Sequence, residues 1–185
     1  RRQRQMCIRD RDTSLRTDGR QELVRIEEFQ GKIAAASAAR ADKDFVVIAR
    51  VEALIAGLGQ QEAVRRGQAY QEAGADAILI HSRQKTPDEI LAFVKSWPGK
   101  VPLVLVPTAY PQLTEADIAA LSKVGIVIYG NHAIRAAVGA VREVFARIRR
   151  DGGIREVDAA LPSVKEIIEL QGDERMRAVE ARYLK

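Results

Sequence analysis

The sequence predicts an α/β fold of parallel βα units, on three observations. Four short runs of consecutive apolar residues stand out, at 45–49, 77–80, 103–106 and 126–129. They are rich in Val, Ile and Leu and lack the polar alternation of a half-exposed strand, as strands buried on both faces do. Each is followed by a stretch with helical apolar spacing, and the runs recur at intervals of about 23 to 31 residues, enough for a strand, a crossover helix and two turns.

Taken in order, residues 19–39 place Leu23, Ile26, Phe29 and Ile33 at helical spacing and are expected to form an amphipathic helix. A polar turn at 42–44 leads into the first strand, 45–49. A helix over about 61–73 follows, stopped by Gly74. The second strand is 77–80. The next helix opens at Thr86 and Pro87, read as N-cap and first helical position, and runs to about Trp97 before Pro98 and Gly99. The third strand is 103–106. Thr114 caps a helix to about Lys123, ended by Gly125, and the fourth strand is 126–129. A long helix over about 133–150 closes the series. Residues 163–184 read as further helices beyond it.

Parallel βα units build either an open doubly wound sheet or part of an eight-stranded barrel. An open sheet for dinucleotides would carry a glycine-rich turn directly after the first strand, and here Gly57 and Gly59 come well past the strand end. The strand ends instead carry polar residues: Arg50 and Glu52, then His81, Ser82 and Arg83, then Thr108, then Asn131 and His132. In a barrel these would converge on the carboxyl-end mouth, where such folds place their chemistry. Two arginines, an imidazole, a hydroxyl and an amide suit an anionic, oxygen-rich ligand. A complete barrel needs eight strands and about 250 residues. The expected fold is therefore the carboxyl-terminal half of a (β/α)8 TIM-type barrel, its last four βα units, over 12–150, followed by a helical extension over 151–185.

The 185 residues are 46% hydrophobic and 30% charged, which excludes a disordered chain. No apolar run approaches the roughly 18 residues of a membrane span, and no signal-peptide pattern opens the sequence, so a cytoplasmic protein with no membrane partner is expected. One cysteine excludes an intrachain disulfide, and no Cys/His spacing fits zinc. The formal charge of +5 does not predict nucleic-acid binding, because residues 1–11, with five Arg and one Asp, carry most of it. That stretch shows no apolar periodicity and is read as a non-native segment. Glu52 is expected to hold an arginine rather than to act as an acid. His132 is read as a structural residue at a helix start, and Lys85 and Lys123 as solvated rather than Schiff-base lysines.

The runs DFVVIARVEALIAGLG, YQEAGADAILIHSRQ, VPLVLVPTAYP, IVIYGNHAIRAAV and LPSVKEIIELQ, in this order, resemble the phosphoenolpyruvate mutase branch of the isocitrate lyase superfamily. The resemblance covers nearly all of 12–185. Within the branch, Thr13 before Ser14 and Leu15 resembles the members that hydrolyse phosphonopyruvate, since mutases carry Asn there. The resemblance implies cleavage of the carbon–phosphorus bond of phosphonopyruvate to pyruvate and phosphate, with Mg²⁺ or another divalent cation on the pyruvate oxygens. It implies that Arg50 grips the phosphonate, that His81 contacts the reacting group or a water beside it, and that Arg83 adds a further cation. It also implies that Thr13 orients the attacking water and that Asn131 lines the substrate site. It implies no metal ligand within these residues, because the family's ligand carboxylates lie in its earlier strands. It implies a homo-oligomer through the C-terminal helices. The chain is accordingly expected to lack one side of the site and to be inactive alone. Mutase or carbon–carbon lyase chemistry of the same superfamily, and an inactive half-barrel, are the alternatives.

Overall fold

The structure is a computed structural model that describes residues 5–10 and 22–184. The chain divides into two compact units, Arg1–Gly130 and Asn131–Lys185.

In the first unit the strands are β1 (Gln5–Arg9), β2 (Val46–Val51), β3 (Ala77–Ile80), β4 (Leu103–Leu105) and β5 (Val124–Val127). The helices are α1 (Ile26–Ala39), α2 (Gly59–Glu72), α3 (Asp88–Ser96) and α4 (Glu115–Ala120), with a 3-10 turn at Pro107–Ala109. The five strands make one wholly parallel sheet in the order β1-β2-β3-β4-β5. The order never reverses, unlike that of a doubly wound sheet, where a reversal creates the binding crevice.

Alternation along the strands separates two apolar layers. Val47, Ala49 and Val51 of β2, Ile78 and Ile80 of β3, and Leu103 and Leu105 of β4 pack with Phe29 and Ile33 of α1, Tyr70 of α2, Phe93 of α3 and Ile118 of α4. The other face buries Ile48, Ala77, Leu79 and Val104, with Val46, Val106, Ile126 and Ile128 against them. The core residues of α1 to α4 all fall in the first layer, so these helices cover one face of the sheet, and among the described residues of this unit the apolar layer on the other face is built by residues of the strands and their ends.

Trp97, just past α3, wedges α3 to α2. Its ring stacks on Phe93 at 5.7 Å between centroids, and its indole N–H donates to the Val101 carbonyl at 3.2 Å. A Cβ on Gly67 of α2 would lie 2.7 Å from this ring, and one on Gly99 would lie 2.1 Å from it. Both glycines are there because the indole needs the space.

Several expectations are corrected. Residues 5–9, in the stretch where the sequence shows no apolar periodicity and no strand is expected, form β1, which pairs with β2 from Gln5↔Val46 to Arg9↔Arg50. The first predicted strand is therefore an interior one, and the sheet has five strands rather than four. The first helix starts at Ile26; Leu23 makes a bridge instead. Thr86 does not cap α3. Its hydroxyl donates to the Asp88 carboxylate at 2.8 Å, and Pro87 stands at the N-cap. α4 ends at Ala120, and Gly125 lies inside β5 rather than ending a helix. The Thr114 cap is as expected, accepting from the Asp117 N–H at 3.2 Å while the Asp117 carboxylate accepts from the Thr114 N–H at 2.9 Å.

The second unit holds α5 (His132–Asp151), α6 (Arg155–Asp158), α7 (Val164–Leu170) and α8 (Asp173–Tyr183). Gly152, at φ +68°, ends α5 in the left-handed conformation that favours glycine. Arg147 of α5 donates to the Glu156 carbonyl of α6 at 2.6 Å. α5, grouped with the βα units by its sequence position, thus falls in this unit. No helix among the described residues is long and apolar enough to cross a membrane.

Candidate active site

Strand alternation decides where Arg50 goes. Ile48 belongs to the helix-free face, so Arg50, two residues on, emerges on that face at the carboxyl end of β2, opposite Arg9 of β1. Glu52 follows it and is fully buried. The Arg50 Nε–H donates to Glu52 Oε1, and the Arg9 Nε lies 4.0 Å from the same oxygen. One buried carboxylate therefore sits against two guanidinium groups. This is the arginine-holding role expected of Glu52. It fixes Nε of the Arg50 fork and leaves the terminal amino groups as the donors a ligand can use.

Behind the pair lies Asp10, fully buried at the end of β1. Its Oδ1 accepts from the Glu52 backbone N–H at 2.9 Å, and its own N–H donates to the Arg50 carbonyl at 3.2 Å. Oδ2 accepts from the Tyr70 hydroxyl at 2.7 Å and from Arg66 Nη1 at 3.4 Å. Arg66 also donates to the Tyr70 oxygen at 2.9 Å, to the Val24 carbonyl at 2.9 Å and, through Nε, to Glu62 at 2.8 Å. Burial pushes the Asp10 carboxyl upward, against the hydrogen bonds from Tyr70 and the Glu52 N–H. Burial and the Asp10 charge push the Tyr70 phenol far above its ordinary value, so it stays a neutral donor.

His81 directly follows β3. It stands one position beyond Ile80, the register partner of Val51, and Glu52 is one position beyond Val51, so His81 and Glu52 end adjacent strands at the same level. The buried Ser82 hydroxyl donates to the Glu89 carboxylate of α3 and accepts from the Gln84 N–H at 3.0 Å. Gln60 of α2 donates to the Glu89 carbonyl at 2.7 Å. This pins the turn that carries His81 and the exposed Arg83. After β4, Thr108 lies in the 3-10 turn and Tyr110 is fully buried; desolvation pushes the Tyr110 phenol up to about 12.

Arg50, His81 and Arg83 thus share the carboxyl end of neighbouring strands. Asn131 precedes α5 in the second unit, and Thr13 lies outside the described residues. Asp10, Tyr70 and Arg66 escaped the sequence reading. The available signal was Arg66 and Tyr70, four apart on the helix face that also carries Ala63 into the core.

A divalent metal does not fit the described residues. They contain no group of three His, Cys, Asp or Glu side chains that could hold one. Asp10 is committed to Tyr70, Arg66 and a backbone N–H, and Glu52 to the arginines.

Residues 5–149 match the phosphoenolpyruvate phosphomutase family from β1 into α5. The chain belongs to that family. Among its relatives, the chain is 98% identical over 175 residues to a phosphonopyruvate hydrolase of Variovorax sp. (strain Pal2), covering 95% of this chain and 60% of the relative. It is 43% identical to a phosphoenolpyruvate phosphomutase of Tetrahymena pyriformis, covering 97% of this chain and 61% of that one. Among solved structures, a phosphonopyruvate hydrolase in complex with oxalate and Mg++ superposes with a TM-score of 0.90 at 90% identity, over 98% of this chain and 63% of the other. A 2,3-dimethylmalate lyase superposes with a TM-score of 0.81 at 27% identity, over 96% and 60%. The chain spans about three-fifths of the length of the relatives it matches.

Proposed function

We propose that this chain forms one side of the active site of an enzyme that hydrolyses phosphonopyruvate. The observation that carries the reading is Arg50, locked by the buried Glu52 at the carboxyl end of β2, in a chain 98% identical to a phosphonopyruvate hydrolase. In the reaction a water oxygen bonds to phosphorus and the carbon–phosphorus bond breaks. Its electron pair passes to carbon as pyruvate enolate, which takes up a proton to give pyruvate; the phosphoryl group leaves as inorganic phosphate. Arg50 binds two phosphonate oxygens through its terminal amino groups and meets the charge that grows on the transferring group. His81, at the level of Glu52 on the next strand, contacts that group or the water beside it. Arg83 adds positive charge, Asn131 binds substrate, and Thr13 orients the water.

Magnesium belongs to this reading through the related hydrolase crystallised with Mg++. Its ligands are assigned to no residue of this chain. The five strands are read as a contiguous arc of an eight-stranded barrel, supported by their sequential order and one-sided helices. The arc holds one strand more than the last four βα units. Exposed Val164, Ile167, Met176 and Val179 on α7 and α8 support pairing of copies through the C-terminal helices.

Mutase chemistry would return the phosphoryl group to the pyruvate oxygen, and Thr13 in place of Asn speaks against it. The test is ³¹P NMR of phosphonopyruvate and Mg²⁺ with an enzyme of the relatives' full length carrying this segment. Inorganic phosphate with an equal amount of pyruvate is expected. Phosphoenolpyruvate as the product would overturn the assignment.

A further inference from the structure

Asp10, Tyr70 and Arg66 form a buried polar cluster under the ends of β1 and β2 that no step of the proposed reaction employs. Asp10, Tyr70 and Arg66 are 0%, 0% and 7% exposed. Buried polar groups carry a large desolvation cost and persist where each finds partners. Here the partners converge on one place. The Asp10 carboxylate accepts from the Glu52 N–H, and its backbone N–H donates to the Arg50 carbonyl, so one residue ties down both members of the Arg50–Glu52 pair. The same residue's carbonyl accepts from the Val24 N–H at 3.1 Å, and Arg66 donates to the Val24 carbonyl. Tyr70 and Arg66 then hold Asp10 from α2, and Glu62 holds Arg66.

We propose that Tyr70, with Arg66, is a positioning residue for the anion-binding arginine. It fixes the Asp10 carboxylate, which sets the backbone of Arg50 and Glu52 and so the aim of the Arg50 fork. The proposal rests on the phosphonate reading of Arg50 for its function, and on the contacts above for its geometry. Tyr70 touches no substrate in this scheme. Its ring packs edge-on against Phe29 at 4.6 Å, and only its hydroxyl serves the site. Removing the oxygen alone should therefore loosen Arg50 and spare the packing.

The test is made on the 185-residue chain by ¹⁵N NMR, reading the Arg50 Nε–H. Bonded to a buried carboxylate, that proton exchanges slowly. In Tyr70→Phe its exchange is expected to quicken at least tenfold, together with that of the Glu52 amide, while the circular dichroism and the Leu105 amide stay as in the parent. Asp10→Asn is the second variant, with the same readout, should Tyr70→Phe not fold. Unchanged Arg50 exchange in a folded variant overturns the proposal. Loss of the fold in both variants overturns it too, since the cluster would then serve folding. Titration with inorganic phosphate separates the two readings. A shift of the Arg50 signal in the parent supports the anion site. No shift there sinks the phosphonate reading, while the effect of Tyr70→Phe still decides the positioning role.

Discussion

The place of Arg50 at a strand end was legible because two features meet on it: a buried apolar run and an abrupt change to polar residues where the run stops. Its partner Glu52 was legible for the same reason. Asp10 was not. It stands among arginines in a stretch whose composition suggests no element, and only pairing with β2 gives that stretch a structure. A local pattern cannot announce a strand stabilised by its neighbour. At this scale Glu52→Ala is expected to leave two guanidinium groups facing each other without their carboxylate and to cost about 3 kcal/mol or more. Urea denaturation of the chain measures it, with a shift in midpoint at constant slope as the expected form. Thr13→Ala, in an enzyme of full length, should lower kcat far more than it changes KM, because a water-orienting contact belongs to the transition state. Steady-state assays of pyruvate release read the two constants separately. A raised KM with kcat intact would remove Thr13 from the chemistry.

Among the elements, the strands with continuous apolar runs were read more closely than the start of α1 and the end of α4. β2 to β4 lie within a residue or two of their expected places because apolar content alone marks a doubly buried strand. α4 and β5 were misjudged at their junction, where Gly125 looked like a helix stop. The Pro102 Cβ lies 2.9 Å from where a Cβ on Gly125 would be, so its glycine serves the close approach of β4 and β5. Two predictions belong here. Gly67→Ala in α2 gains helix propensity of up to about 1 kcal/mol, yet drives a methyl into the Trp97 ring. Overpacking of this kind costs about 1 to 3 kcal/mol, so a net loss of stability is expected from the same urea titration. The capping box of α4 gives a pH dependence. Bonds from the Thr114 hydroxyl and N–H hold the Asp117 carboxyl below its ordinary value. A depressed carboxylate stabilises the fold above its unfolded pKa, and that gain is lost as pH falls through the folded one. Thr114→Ala should therefore lower Tm near pH 7, and the gap to the parent should narrow below about pH 4.

For the molecule as a whole, consecutive parallel strands with helices packed on one face supply the platform, and the polar strand ends carry the residues of the proposed site. The described residues bring Arg50, His81 and Arg83, the proposed phosphonate-binding side, to the carboxyl end of neighbouring strands, and among them no group of three His, Cys, Asp or Glu side chains could hold a metal. The 185-residue chain alone is therefore expected to release no pyruvate from phosphonopyruvate, with or without Mg²⁺. The proposed grip of Arg50 on the transferred group is measured by kcat/KM for phosphonopyruvate in an enzyme of the relatives' full length, parent against Arg50→Ala. Loss of a guanidinium that meets charge on a transferring phosphoryl group should cost roughly 10³-fold or more, with circular dichroism unchanged. Activity within tenfold of the parent, in a folded variant, would take Arg50 off the transferred group.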